Sequence, residues 1–268
     1  DGPKRPCMVI DQTDQYMRQV TNDARMSPPG LRATPIDDKA DLRVAEDLQG
    51  LFRHIERVSR ANRAYLTALD WSCTIGRGAF RIDSVLVNKA LNHWEPRVGR
   101  IANALDVYFD PYSVEVDGSD QTDAMIIKTY SPATFRRRWP KSETAGSWDN
   151  GRYQGWCLRD EIRVAEWHSL RDRTDTVLVT EMGEEVTEEV LRGMLAVNPG
   201  MGYREESRTV PVCSVRFVTE HDVLDETEFP APHIGLIPVY GDDRYTTEGR
   251  ELFGMVRRTA DAGRLSNY

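Results

Sequence analysis

Two glutamates and a histidine in one short segment could support metal binding or acid–base catalysis. Glu161, Glu166 and His168 lie in the stretch EIRVAEWHS. On a strand, side chains two residues apart project to the same face, so Glu166 and His168 would share a face and Glu161 would lie on the other. A metal centre also needs a third ligand at a suitable distance. A metal- or acid/base-dependent enzyme that uses these residues is therefore one hypothesis, and polar pairing between neighbouring strands is the favoured one.

Three consecutive arginines between two aromatic residues could bind nucleic acid. Arg136, Arg137 and Arg138 form the centre of the segment FRRRW. Interleaved arginines and aromatic rings can hold a phosphate backbone and stack on bases. Phe135 and Trp139 are four residues apart, however, and would share the buried face of a short amphipathic helix with the arginines outside. The arginines could then belong to a DNA-binding module or to a subunit contact.

Two other segments resemble binding motifs but lack an essential part. The stretch DGSDQTD, from Asp117 to Asp123, does not have the residue order or the distal glutamate of an EF-hand loop, which predicts a surface turn. The stretch IGRGAF, from Ile75 to Phe80, leads from a helix to a strand, whereas a dinucleotide fingerprint leads from a strand to a helix. We therefore expect no cofactor, no metal and no catalytic residue.

The composition is typical of a folded, acidic protein. Hydrophobic residues make up 40% of the 268 residues, and the formal net charge is −8, which disfavours broad contact with nucleic acid. No apolar run approaches the ~18 residues needed to cross a bilayer, so no membrane contact is expected. The cysteines form no CxxC pair, which predicts buried free thiols in a cytosolic setting; they are Cys7, Cys73, Cys157 and Cys213.

A long helix is predicted ahead of the candidate residues. Between Asp41 and Ile75 apolar side chains recur every three, four or seven residues, with the polar Asn62 in line. We expect one helix, bent near Asn62, whose apolar stripe packs on the strands that begin at Ala79 and Arg100. The stripe comprises Val44, Leu48, Leu51, Ile55, Val58, Leu66 and Leu69.

The rest of the chain alternates strand-like and short helical segments. Predicted strands are AFRIDSVLV, RIANALDVYF, AMIIKTY, EIRVAEWHS, DTVLVTEM and RTVPVCSVRFVTE, with SLRDRTD as the turn between the fourth and fifth. One short helix is predicted after the cap Ser131 and another beginning near Thr187, and an exposed mobile loop is predicted from Lys141 to Gly155. This order predicts an α+β fold, in which long N-terminal helices pack on a mostly antiparallel sheet with small helices.

The C-terminal segment predicts an amphipathic helix from Thr247 onward. Leu252 and Val256 would dock its first turns on the domain, whereas residues 261–268 would project from the domain or contact another copy. Arg257, Arg258 and Arg264 lie off this apolar face, which makes them possible subunit or DNA contacts. The chain starts without methionine and ends within this helix, so we expect it to be a piece of a longer protein.

Five stretches, taken together in their order and spacing, resemble the portal proteins of short-tailed bacteriophages. The first is RPCMVIDQTDQYMRQVTNDARMSPPGLRATPIDD, and the second is ADLRVAEDLQGLFRHIERVSRANRAYLTALDWSCTIGRGAFRI. The third is VYFDPYSVEVDGSDQTDAMIIKTYSPATFRRRWP, and the fourth is the strand EIRVAEWHS. The last is IPVYG followed by a helix containing GMVRRTADAGRLSN. Each motif is short, so the resemblance rests on the whole set.

This resemblance implies a structural role in the virion. Such proteins form rings of about twelve subunits at one capsid vertex, through which double-stranded DNA is packaged and ejected. It implies residues 1–244 as the wing domain and 245–268 as the start of a truncated stem helix. The implied partners are other copies of the chain, the terminase packaging motor, capsid, scaffold and head-completion proteins, and the DNA itself. The implied locations are the virion and, during assembly, the host cytoplasm. The implied role is not enzymatic, because the motor hydrolyses ATP.

Overall fold

The computed structural model describes residues 13–35, 41–142, 157–158, 161–180, 183, 185–198, 200, 202–220, 222–247 and 249–266. The chain divides into two compact units. The first unit comprises Asp1–Asp120 and Gly235–Tyr268, and the second comprises Gln121–Ile234. Most of the predicted loop from Lys141 to Gly155, with its Trp148 and Tyr153, lies outside the described residues.

The long N-terminal helix predicted from the sequence is two helices. After α1 (Thr13–Met26), α2 spans Leu42–Ser59 and α3 spans Ala61–Ile75. Arg60 separates α2 and α3 in a left-handed conformation, with φ 53° and ψ 44°. The prediction of one helix bent near Asn62 is therefore wrong, because a left-handed residue interrupts the helical backbone two positions earlier.

The helix α3 leads directly into the sheet of the first unit. Gly76 ends α3 near the predicted position, at φ 89°, where glycine carries no steric penalty. The strands β1 (Arg77–Asn88) and β2 (His93–Arg100) then form an antiparallel hairpin. The helix packs on this sheet so closely that a Cβ at Gly78 would overlap the carbonyl of Ala68.

The segment RIANALDVYF is only partly a strand. Asn103 caps a short 3-10 helix (Ala104–Asp106), because its side chain accepts a hydrogen bond from the Leu105 N–H at 3.1 Å. The strand β3 (Val107–Phe109) follows this helix. The prediction of one continuous strand across this segment is therefore wrong.

The second unit is dominated by one very long strand. This unit contains β4 (Asp123–Tyr130), the helix α4 (Pro132–Arg138), β5 (Cys157–Leu158) and the long strand itself, β6 (Glu161–Thr180). It continues with β7 (Glu185–Val186), the helix α5 (Glu188–Val197), β8 (Tyr203–Val218) and β9 (Val223–Pro230). All of their pairings are antiparallel, in the order β4-β6-β8-β9, with β5 and β7 also paired to β6.

The predicted turn SLRDRTD does not exist. Residues Ser169 to Asp175 are continuous strand and pair in register with β8, for example Arg173 with Val210. The two strands predicted on either side of this segment are therefore the single strand β6. Its polar residues from Arg171 to Thr174 are exposed, so their polarity indicates solvent contact and not a change of chain direction.

An aromatic cluster forms the core of the second unit. Phe135 of α4 and Trp139, the residue just after this helix, are buried against Ile162 and Val164 of β6. Ser131 caps α4 through its hydroxyl, which accepts a hydrogen bond from the Thr134 N–H at 3.3 Å. The short helix and its inward-facing aromatic pair are thus confirmed.

The C-terminal part of the first unit returns to the sheet and then turns back. The strand β10 (Leu236–Tyr240) pairs with β1, which gives the strand order β10-β1-β2. The strands β11 (Asp242–Thr246) and β12 (Gly249–Phe253) then form a hairpin, and the helix α6 spans Met255–Ser266. The helix predicted from Thr247 therefore begins only at Met255. The fold class, α+β with mostly antiparallel sheets, is confirmed.

Candidate subunit interface

Glu166 and His168 share one face of a strand, as predicted, and form a buried pair there. Both lie on β6, and the Glu166 side chain is only 2% exposed. Its Oε1 lies 3.1 Å from Nε2 of His168, and its Oε2 accepts a hydrogen bond from the Lys128 ammonium of β4. Glu161 is exposed, at the start of the strand. The structure therefore brings together two of the three predicted residues and adds a lysine that the sequence analysis missed.

This cluster has the chemistry of an ion pair between strands, in which the carboxylate is buried and the lysine is partly exposed. Lys128 holds the carboxylate from the neighbouring strand, and His168 holds it from two residues along its own strand. Within the described residues, no group of three histidine, cysteine, aspartate or glutamate side chains could hold a metal ion. The Lys128–Glu166 contact links β4 to β6.

The aspartates of the predicted surface turn stabilise their own loop. Asp120 accepts hydrogen bonds from the Ser113 hydroxyl and from the Val114 N–H, both at 2.6 Å. Asp117 accepts one from the Ser119 N–H at 3.0 Å. These hydrogen bonds hold the pKa of both carboxyl groups below its ordinary value. The prediction of a surface turn is confirmed.

The cysteine side chains that the structure describes are free thiols. Cys213 is buried, and this burial raises the pKa of its thiol to about 11. Cys73 is half-buried, and burial raises its pKa too, followed in importance by the nearby Asp70 charge. The prediction for Cys7 and Cys157 concerns side chains outside the described residues.

The arginines of α4 differ in what they contact. The Arg138 guanidinium lies over the rings of Trp139 and Phe217, 4.8 Å and 5.4 Å from their centroids. Such stacking fixes Arg138 on the aromatic core. Arg136 and Arg137 are exposed. Arg138 is exposed as well, so all three predicted contact residues reach the surface.

The arginines at the start of α6 attach the helix to the β11–β12 hairpin. Arg258 forms an ion pair with Asp242 of β11. Arg257 lies 3.7 Å from Glu251, and its guanidinium is 4.4 Å from the centroid of the Phe253 ring. Both side chains are exposed, so these contacts are weak. The side chain of Arg264 lies outside the described residues.

The helix α2 exposes most of the apolar stripe that was expected to pack on the sheet. No residue of α2 is buried. We call the exposed part the α2 stripe; it comprises Val44, Leu48, Leu51 and Val58. The helix reaches β2 through polar contacts, including a 3.0 Å hydrogen bond from the Val98 N–H to the Ser59 hydroxyl. For these four residues the predicted packing on the strands is wrong, since their side chains face solvent in the single chain.

The hairpin formed by β1 and β2 exposes a second apolar surface, which the sequence analysis missed. We call residues 85–94 the hairpin tip. Its exposed apolar side chains are Val85, Val87, Leu91 and Trp94, and Leu91 is 76% exposed. Clustered apolar exposure is typical of protein–protein contact surfaces. One feature of the sequence could have predicted this surface. The segment SVLV places apolar residues on both faces of the strand, just before the turn of the hairpin.

None of the helices in the described part of the chain combines the length and apolar character that a membrane span requires.

Comparison with known proteins identifies relatives among phage proteins. A family model described as "Phage P22-like portal protein" matches residues 1–268. A protein named "Portal protein" from Acyrthosiphon pisum secondary endosymbiont phage 1 is 26% identical over 288 residues. That match covers 98% of this chain and 39% of the relative, so the chain spans about two fifths of the relative's length.

Proposed function

Because the chain belongs to the phage P22-like portal protein family, we propose that it forms a subunit of the portal ring at one vertex of a phage capsid. The match of the family model to residues 1–268 carries this proposal. In this role the protein is structural and non-enzymatic, and double-stranded DNA passes through the ring during packaging and ejection. The ring contains about twelve copies in closed cyclic symmetry.

The exposed apolar surfaces support an oligomer. Monomeric proteins rarely expose clustered apolar side chains without a function for them. The first unit does so on the α2 stripe and on the hairpin tip. Contact with neighbouring copies would cover these side chains, and the free energy of that burial would stabilise the ring.

The charge balance supports a channel through which DNA moves. The net charge of −8 gives little sequence-independent attraction to phosphates. Double-stranded DNA could therefore slide past the subunits without being held. The exposed Arg136 and Arg137 would make local contacts with DNA or with a neighbouring subunit.

The finer assignments follow the family. Residues 1–244 are proposed as the wing domain and 245–268 as the segment that leads into the stem, with α6 from Met255 as its helical part. The proposed partners are the terminase packaging motor, the capsid and scaffold proteins and the head-completion proteins. The proposed locations are the virion and, before assembly, the host cytoplasm.

Electron microscopy of the purified product of the whole gene tests this proposal. We expect rings of identical subunits around a central channel wide enough for double-stranded DNA. Native mass spectrometry should give a mass that is a whole multiple of the subunit mass. A protein that stays monomeric or dimeric at all concentrations would contradict the proposal.

A further inference from the structure

The first unit contains an apolar pocket that its own described residues leave open. The pocket has a volume of about 430 Å³ and lies between the end of α1, the two helices α2 and α3, and the sheet. Its wall includes Leu31, Leu66 and the ring of Phe80, together with Tyr65 and Glu56. This volume is within the range of pockets that hold a ligand or a few large side chains.

The polar groups of this pocket favour a cation. Oε1 of Glu56 is buried and accepts no hydrogen bond from the described residues. Burial raises the pKa of the Tyr65 hydroxyl, and the negative charge of Glu56 raises it further. A buried acceptor without a donor destabilises the structure, so an occupant that brings one positive charge into an apolar environment would be stabilised here.

The hairpin tip has the complementary properties. It carries Lys89 beside the exposed Val87 and Leu91. Its turn is held by the Asn88 carboxamide oxygen, which accepts hydrogen bonds from the Ala90 and Leu91 N–H groups at 3.0 Å and 3.3 Å. A turn whose shape is already fixed loses little conformational entropy when it docks.

The hairpin tip cannot reach the pocket of its own chain. Phe80 in the pocket wall and Leu86 at the base of the tip lie on the same strand, about 20 Å apart at roughly 3.3 Å per residue. β10 pairs with β1 only up to Arg81, so the outer part of the hairpin is a two-stranded ribbon that extends away from the pocket. Within one chain the tip is therefore too far away to be the occupant, whereas the tip of another copy is not limited by this distance.

We propose that the hairpin tip of one subunit inserts into the apolar pocket of its neighbour, where Lys89 pairs with Glu56 of that neighbour. This inference rests on the proposed ring assembly. The two surfaces of the contact differ, so each subunit gives its tip to one neighbour and receives the tip of the other. Contacts of this kind close into rings when the rotation between neighbours allows it.

Charge reversal tests the pairing. Lys89→Glu and Glu56→Lys should each weaken association by about tenfold or more, because each leaves like charges in one pocket. The double variant should recover most of the loss. Thermal unfolding of the isolated subunits shows whether the variants remain folded. Sedimentation velocity over a concentration series measures the association.

Replacing apolar side chains with aspartate tests whether the hairpin tip, and not any exposed apolar residue, makes the contact. Leu91→Asp changes an exposed side chain of the tip and should also weaken association about tenfold. Leu105→Asp is the matched control, since Leu105 is an exposed leucine of the first unit outside both the tip and the pocket. The control should associate like the unchanged protein.

The outcomes distinguish failure of this inference from failure of the proposed function. If the unchanged protein forms rings and all the tip and pocket variants form them equally well, the insertion is wrong and the ring proposal stands. If the unchanged protein forms no rings, both are wrong.

A photoreactive Leu91→benzoylphenylalanine variant should link to the pocket peptides of a second copy. A link within one chain, or to another surface, would overturn the insertion.

Discussion

The most unusual side chains in the second unit are the buried Glu166 and His168 and the partly buried Lys128 that contacts Glu166. Taking a carboxylate out of water is costly unless donors surround it, and here two donors from neighbouring positions do so. Such a cluster can serve catalysis or hold strands in register. The described residues around Glu166 supply an ion pair across two strands, which favours the role in strand register.

Replacing the central carboxylate should therefore affect stability. In the variant Glu166→Gln, the amide keeps the shape of the side chain but loses the charge that both donors contact. We expect the free energy of unfolding of the second unit to fall by about 1.5–3 kcal/mol, the range for hydrogen bonds to charged groups. Chemical denaturation followed by tryptophan fluorescence measures this change.

The matched control is Glu188→Gln in the same unit. Glu188 pairs with Arg192 on α5, where both side chains are exposed. Such surface pairs contribute little, so the control should lower the free energy of unfolding by about 0.5 kcal/mol or less. Equal effects of the two variants would contradict the structural importance of the buried cluster.

At the scale of elements, close backbone contact between α3 and β1 determines how the first unit packs. A Cβ at Gly78 would overlap the Ala68 carbonyl, so Gly78→Ala must push the helix and the strand apart. We expect the free energy of unfolding to fall by about 1–3 kcal/mol, the range for an overpacked core. Thermal and chemical unfolding of the variant measure this.

The helix α2 supplies a control for this prediction. A Cβ at Gly50 would meet no atom within 4 Å, so Gly50→Ala adds the same methyl group to a helix without a clash. It should raise the free energy of unfolding by about 0.5–1 kcal/mol, because alanine favours the helix over glycine. If both variants lowered the free energy of unfolding by similar amounts, the close backbone contact at Gly78 would not be the cause of the destabilisation.

Elements with local sequence signals could be predicted, and elements that depend on distant pairing could not. The helix α4 follows a serine cap and begins with a proline, and α5 begins after Thr187, so both were found. The polar middle of β6 was mistaken for a turn, because only its pairing with β8 makes it a strand. Nothing in the residue type of Arg60 indicates a left-handed conformation.

The same distinction applies to the candidate site residues. Strand periodicity alone placed Glu166 and His168 on one face. It could not supply Lys128, since that contact depends on which strand lies beside β6. Helical periodicity found the apolar stripe of α2, but it could not indicate whether the sheet or another copy covers that stripe.

At the scale of the whole molecule, two kinds of surface support assembly with copies of the same chain. The first unit exposes apolar side chains on a helix and on a hairpin, and it contains an open apolar pocket with a buried carboxylate oxygen. The chain as a whole is acidic. A ring built from such subunits would be held by apolar burial between copies, and its channel would not bind DNA tightly.

Locating the protein in the phage particle tests most directly whether it is a portal subunit. The gene product is tagged with a short epitope in the phage that encodes it, and purified DNA-filled particles are labelled with gold and imaged by cryo-electron tomography. We expect label at a single vertex of each capsid. Label at every vertex, or no label in particles that contain the tagged protein's gene, would contradict the portal assignment.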